Sequence, residues 1–559
     1  MTDPRLSALC AAVSGTAMHG HLTEFARWVK LSGSAEELQS LGYVRARMEE
    51  YGYRTQLLMH DAYISLPGRA SVTVDGAALT AITHSHGQPS PAGGLSGRLV
   101  YVGDGTPADF ARLDVRGAIV LAEGIANPRV AQLASRAGAA GQLHISPHHH
   151  LHEMCVSPVW GSPTPATLAD MPATVVCTVS QADGGVLREA LAAGRAPSVV
   201  LHAAVDTGWR KTPILQCDID GPARGPEGGP GAPFLLFSGH HDTWYYGVMD
   251  NGSANATMLE VARLAAGQQA QWRRGLRVCF WSGHSHGRYS GSTWYVDQHW
   301  DELERRCVAH VNVDSTGGIG ATELGDAAAV SELIPLAGEA IRAQTGHQHT
   351  GKRKSRSSDD SLPGIGVPSM FGVLSEQPPG PVKLRNALGW WWHTPEDLLD
   401  KVDIDFLVRD TRVFMHAIWR LLADARLPLD YTAHAAALSA ELEDLAGKLG
   451  DRFDMTPLLE AAATLGRAAE ALAGRPDDAA ANAALMRVSR ALVPIDYSHG
   501  DRFSHDPALP NPPWPSLQPV RALAATAPGS DAGKFAMVAA MRARNRVLFA
   551  LREANAALA

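Results

Sequence analysis

Hydrophobic and polar positions change their period along this chain, and each change marks an element. In residues 34–53, Leu38, Leu41, Val44 and Met48 recur at helical spacing ahead of a glycine, which predicts an amphipathic helix. Ser34 and Glu37 are spaced as a capping box at its start. A strand-like run covers residues 54–66. From about residue 93 the texture shifts to short apolar runs punctuated by glycines (GRLVYVG, GAIVLAE, GAAGQLHIS, MPATVVCTV) with helical signal among them, which reads as a compact β-rich insertion. Near residue 208 the earlier style resumes. APFLLFSG, GLRVCFWSG and CVAHVNVDS are apolar throughout, as strands covered on both faces by helices are. After MDNGS, Ala254, Met258, Val261 and Ala265 form one helical stripe that Ser253 or Asn251 is placed to cap. Beyond about residue 426 the chain is rich in alanine and leucine at helical spacing, with a proline-rich ordered loop at 505–517. No short-period repeat is present, so a solenoid is not expected.

Composition changes this picture little. With 45% hydrophobic and 19% charged residues, the 559-residue chain is an ordinary globular protein with length for several domains. A net charge of −8 argues against a nucleic-acid partner. The six cysteines are scattered, mostly in apolar runs, and read as reduced core thiols. The N-terminal residues carry no signal-peptide pattern, and no span suits a membrane, so a cytoplasmic location is expected. The 24 histidines are the anomaly, because they cluster.

Four segments bring potential metal ligands to predicted strand ends: SGHHDTWYYGVMDNGS, SGHSHGRYSGS, HVNVDSTGG and WWWHTPEDLLDKVD. Taken singly, their residues have structural explanations, as helix caps or loop acids. Taken together, they offer a carboxylate able to bridge two ions and further His and carboxylate donors on rigid supports.

The order His-x-Asp, Asp-Asn-Gly-Ser, Asn-x-Asp, His-Thr-x-x-Asp resembles the family-28 metallopeptidases, which include zinc aminopeptidases and the glutamate carboxypeptidase and transferrin receptor branch. The resemblance extends over nearly the whole chain. It implies an α/β fold with a phosphorylase/aminopeptidase-like central sheet flanked by helices. It also implies a protease-associated domain at 93–207 (DVRGAIVL, SRAGAAG) and a helical dimerisation domain at 426–559 (ALVPIDYSHG), with the peptidase-like domain in two parts, 1–92 and 208–425. By the same resemblance, His240, Asp250 and Asp314 would hold one metal. Asp250 would bridge to a second ion completed by His393. Asp242 would orient His240, and Asn251 and Gly252 would fix the turn.

The chain departs from the family at residues 280–292, FWSGHSHGRYSGS, where an adjacent Glu-Glu pair is expected. Aligned from its start, His284 takes the place of the general base and Ser285 that of a ligand. Aligned from its end, Ser285 and His286 take those places. Imidazole binds divalent transition metals better than a neutral serine, which favours His286, or else His284, as the ligand. Loss of a carboxylate ligand leaves more uncompensated positive charge, favouring one ion or a histidine-rich transition-metal site: zinc first, with iron, nickel or manganese as alternatives. His284 is then the candidate proton shuttle.

Trp392 stands where the branch has a tyrosine, and with Trp390 and Trp391 it is a candidate pocket wall. Arg288, Arg353 and Arg356 are candidate clamps for a substrate carboxylate. The run HISPHHHLHE offers His144, His148, His149, His150 and His152, of which His149 is a candidate cleft residue. The expectation is a dimeric metal-dependent hydrolase of a small amide or short peptide-like substrate, with no membrane or nucleic-acid partner. A non-peptidase metalloenzyme such as a lyase, and a catalytically silent scaffold, are the alternatives.

Overall fold

The computed structural model describes residues 3–221, 231–380, 387–472 and 474–559. In chain order the strands are β1 (Arg54–Val74), β2 (Ala77–Thr83), β3 (Leu95–Gly97), β4 (Leu99–Gly103), β5 (Ile119–Glu123), β6 (Gly141–Ile145), β7 (Val175–Val179), β8 (Val199–Ile219), β9 (Phe234–His240), β10 (Gly275–Trp281), β11 (Cys307–Asp314) and β12 (Ser369–Val373). Their lateral order is β12-β11-β9-β10-β8-β1-β2-β7-β6-β5-β4, with β3 beside β8.

Four parallel strands, β12, β11, β9 and β10, form the half of the sheet that matters for chemistry. Every residue of β9, β10 and β11 is buried, as the unbroken apolar runs predict for strands covered on both faces. The chain passes from β9 to β10 on one side and returns to β11 on the other. The carboxyl ends of these strands therefore flank a crevice of the kind where open α/β sheets bind ligands. The covering helix Ala254–Ala266 buries the whole predicted stripe, including Met258 and Val261. Each such side chain contributes roughly 1.5–3 kcal/mol by leaving water. Neither Ser253 nor Asn251 caps this helix. Ser253 Oγ donates to the Met249 carbonyl, and Asn251 is drawn into the strand ends, donating to the His240 carbonyl and accepting from Ser315 N–H. At the earlier helix, Ala35–Glu50, half of the capping box forms: Ser34 accepts from Glu37 N–H, while the Glu37 carboxylate accepts from Gly33 N–H instead.

The β-rich unit is carried on a long two-stranded ribbon. β1 and β8, each 21 residues long, pair antiparallel along nearly their whole length. They run out of the central sheet as a ribbon, and β2 on that ribbon pairs with β7 of the insertion. An extended ribbon alternates its faces without a composition break, so the boundary leaves no mark in the sequence. β4, β5, β6 and β7 are parallel and have their own apolar core around Ile119, Leu121, Leu143 and Val175.

The C-terminal helices Tyr431–Leu449, Thr456–Leu472, Ala479–Tyr497 and Asp531–Leu558 share one continuous core with the central sheet. Arg490 ties them in place. Its guanidinium donates to the carbonyls of Glu304, Gly366, Leu303 and Cys307 at 2.6–3.2 Å. All six cysteines are buried free thiols. No helix among the described residues is long and apolar enough to cross a membrane.

Candidate metal centre

His240 ends β9, Asp314 ends β11, and Asp250 lies in the turn before the helix Ala254–Ala266. Gly247 makes that turn possible. Its φ is +50°, and a Cβ there would sit 2.2 Å from the Asp250 carbonyl oxygen. Asp397 accepts from the N–H groups of Met249 and Asp250 at 2.8 and 3.0 Å, which fixes the turn from below. Burial and the neighbouring Asp250 charge push the Asp397 carboxyl up to about 7, against the pull of those N–H groups and Lys30.

Asp250 faces two histidines with its two oxygens. Oδ1 lies 3.2 Å from His240 Nε2, and Oδ2 lies 3.0 Å from His393 Nε2. Asp314 Oδ1 lies 3.6 Å from His240 Nε2 and accepts from Ser315, while its Oδ2 accepts from Ser358. His240 Nδ1–H donates to the Asp242 backbone carbonyl at 2.7 Å, and His393 Nδ1–H donates to the Glu153 carbonyl at 2.6 Å. Both rings are thereby held with Nε2 toward the carboxylates.

The residues fit a cation. The His240 Nε2 atom is buried without a hydrogen-bond partner and looks onto two carboxylate oxygens. Burial works against charge on this ring, but Asp250 and Asp314 outweigh it and hold its pKa well above the ordinary range. The same histidines hold Asp250 well below the usual carboxylate range despite burial. A cluster that stabilises positive charge so strongly, built from imidazole and carboxylate, matches the donor set of a divalent transition metal.

His284, His240 and Asp314 bring donor atoms within 4.8 Å of one another. The His284 ring, however, stacks on that of His240 with centroids 3.6 Å apart and planes 12° apart. Lone pairs lie in the ring planes, so two parallel stacked rings cannot both point at one ion. His284 Nδ1–H donates to the buried Asp359 carboxylate at 2.9 Å, leaving Nε2 as the acceptor.

The other anticipated residues divide. Arg288, Trp392, Ser285, His284, Asp250, Asp314 and His393 line one cleft of about 360 Å³. His286 is not among its lining: its ring packs on Trp244, which does line it, Nδ1 meets Ser32 Oγ at 3.0 Å, its buried Nε2 has no protein hydrogen-bond partner, and burial lowers its pKa to about 3. Ser285, one residue earlier, presents its buried Oγ to the cleft with no protein partner. The Asp242 carboxylate does not hold His240. It lies 3.8 Å from Nδ1 and accepts instead from Ser32 Oγ, Ser285 N–H and His284 N–H, bracing the histidine-bearing turn. Arg356 donates to the Asp506 carbonyl and lies over Trp160, and Arg353 pairs with Asp496; each is occupied by the C-terminal region. His149 is exposed beside His150. Trp391 is core, Trp392 stacks on His393, and Trp390 stacks on His150.

Three contributors were not anticipated. Asp359 lies 75 positions from its partner His284. Ser32 carried no signal. Glu153 closed the histidine run; it accepts from the Tyr245 hydroxyl at 2.8 Å, and burial lifts its carboxyl to about 7.

Residues 224–418 match the model of peptidase family M28. The chain is 24% identical over 536 residues to the probable glutamate carboxypeptidase VP8 of Zea mays, covering 80% of this chain and 72% of that protein. It is 22% identical over 531 residues to the probable glutamate carboxypeptidase AMP1 of Arabidopsis thaliana, covering 80% and 73%. Among solved structures, a peptidase M28 precursor from Shewanella amazonensis SB2B superposes with a TM-score of 0.60 at 17% identity, over 76% of this chain and 97% of that one. BSAP, a zinc aminopeptidase from Bacillus subtilis, gives 0.56 at 17% identity, over 74% and 96%. At these identities the structural likeness establishes the fold: a mixed central sheet with flanking helices.

Proposed function

We propose, from the premise that this chain belongs to peptidase family M28, that it hydrolyses an amide bond in a small or short peptide-like substrate, using a divalent metal, with zinc favoured. The observation that carries the reading is the Asp250 carboxylate, one oxygen on His240 and the other on His393. The zinc aminopeptidase and glutamate carboxypeptidase relatives support the metal and the reaction class.

His240, Asp250 and Asp314 would hold the ion, with His393 on the far side of Asp250. When bound, such an ion polarises a carbonyl and acidifies water. The chain's own residues supply the rest. His284 takes the proton at Nε2 and returns it to the leaving nitrogen, in place of the absent glutamate. Asp359 holds the His284 Nδ1–H, fixing the tautomer and compensating charge on the ring during transfer. Ser285 and Trp392 also line the cleft. Arg288, in the same lining, would attract an anionic group of the substrate.

We also read the protein as a homodimer. Phe535, Val538, Met541 and Phe549 share one face of the helix Asp531–Leu558 and are 40–78% exposed. Four large apolar side chains on one face mark an association surface.

The test of function is a panel of aminoacyl anilides and N-acyl dipeptides assayed with the metal-loaded protein, the chelated protein and the chelated protein resupplied with zinc. Turnover that chelation abolishes and zinc restores supports the reading. A metal-loaded protein that cleaves none of the panel contradicts it.

A further inference from the structure

The histidine run in the insertion is not absorbed by the centre described above. It sits at a seam, where the segment after β6 meets the loop carrying His393. Across that seam His152 Nδ1 lies 2.5 Å from the Trp392 carbonyl, Glu153 N–H donates to the His393 carbonyl, and the Glu153 carbonyl receives His393 Nδ1–H.

Two imidazoles converge there. His152 Nε2 and His148 Nε2 are 3.1 Å apart. The bond to Trp392 requires the proton of His152 to be on Nδ1, so its Nε2 carries a lone pair. His148 Nδ1 accepts from His150 N–H at 3.2 Å, so a neutral His148 ring carries its proton on Nε2. That one proton lies between the two rings. The ring centroids are only 4.8 Å apart, with 66° between planes, so the nitrogens meet at an angle rather than end to end. Two ligands on one tetrahedral zinc, each about 2.0–2.1 Å from it, are separated by about 3.3 Å. The pair is close to that spacing without any backbone movement. His152 is buried, and burial holds its pKa near 3, so it is neutral and available as a ligand at physiological pH. His148 is partly exposed, which leaves a path for an ion. His150, its ring 5.4 Å from that of His148, borders the same space, and the Glu396 carboxylate acts on it electrostatically.

The geometry points to a second metal site, separate from the central one. In it a zinc, copper(II) or nickel(II) ion displaces the shared proton and is bound by His148 Nε2 and His152 Nε2, with water completing the shell. The proton released from His148 Nε2 goes to solvent, and no redox change is involved. The site joins the insertion to the strand-end loop that positions His393, so occupancy would stiffen the seam that orients that residue.

The test uses the full chain without an affinity tag. Wild type, His148→Ala and His152→Gln are equilibrated with zinc, and bound ion is measured by mass spectrometry alongside circular dichroism. Copper(II) titration of the Asp250→Asn/Asp314→Asn double variant is followed by electron paramagnetic resonance. The expected result is one more zinc equivalent in wild type than in either histidine variant. The double variant is expected to keep one copper with nitrogen hyperfine structure, which is lost when His148→Ala is added. Equal zinc content in wild type and a folded His148→Ala protein overturns the site. So does a folded double variant that binds no copper, or binds it unchanged after His148→Ala. Because the double variant lacks the central centre, this result is independent of whether the protein hydrolyses any amide.

Discussion

The ring of His284 lies flat against that of His240, 3.6 Å away and 12° from parallel. This stacking assigns the two histidines different duties, because only one of two parallel lone pairs can be directed at a given ion. His284→Ala is therefore expected to retain bound metal while losing roughly 10²–10⁴-fold in kcat, the usual worth of a proton-transfer group. Asp359→Asn should also lower kcat with metal content intact, since the amide cannot compensate charge on the ring. Kinetics paired with elemental analysis of each variant checks both. Loss of metal in His284→Ala would make that residue a ligand.

Glu153 predicts a pH effect. Its folded pKa, about 7, lies above the ordinary carboxyl value because burial disfavours the charged form, against the Tyr245 hydroxyl bond, which lowers it. Between about pH 4.5 and 7 the native chain therefore binds more protons than the unfolded chain, and this group's contribution to stability falls as pH rises through that window. Glu153→Gln removes the dependence. Relative to wild type it should be stabilised at pH 8 by about 3 kcal/mol, and not at pH 4. Denaturant unfolding at the two pH values measures the difference.

Arg490 adds a buried polar tie to the apolar core that joins the C-terminal helices to the sheet domain. Arg490→Met fills similar volume but leaves four carbonyls without their donor. A destabilisation on the order of 3 kcal/mol or more is expected from urea unfolding, because buried acceptors without partners are costly. Arg490→Lys should recover only part of it, an ammonium having three donors and no fork.

The exposed face of the last helix predicts association. Wild type is expected to sediment as a dimer in analytical ultracentrifugation, and Phe535→Glu combined with Phe549→Glu as a folded monomer. Identical sedimentation of the two proteins would remove that helix from the interface.

Much of this architecture was legible in the chain. Apolar runs at 232–239, 275–283 and 307–315 gave β9, β10 and β11, because strands covered on both faces need no polar alternation. His240, Asp250, Asp314 and His393 could be picked out through the family resemblance, and the structure brings their side chains together. The continuity of β8 through residue 207 could not be read, because an extended run shows no composition break there. Nor could the register of residues 284–286 be read, because the turn holds one residue more than its family pattern. In the structure Asp242 takes the N–H groups of His284 and Ser285, and the ring of the next residue, His286, packs on Trp244. Asp359 and Ser32 reach the site from distant loops, and long-range partners of this kind leave no local spacing to detect.

Metal content compared between wild type and Asp250→Ala tests the central claim most directly, because Asp250 is the residue on which both histidines converge. The account predicts a stoichiometric divalent ion in the purified wild-type protein and its loss from a folded Asp250→Ala variant, with activity lost in parallel. A wild-type protein that carries no ion and takes up none from zinc solution, or a variant that keeps its full complement, would contradict it.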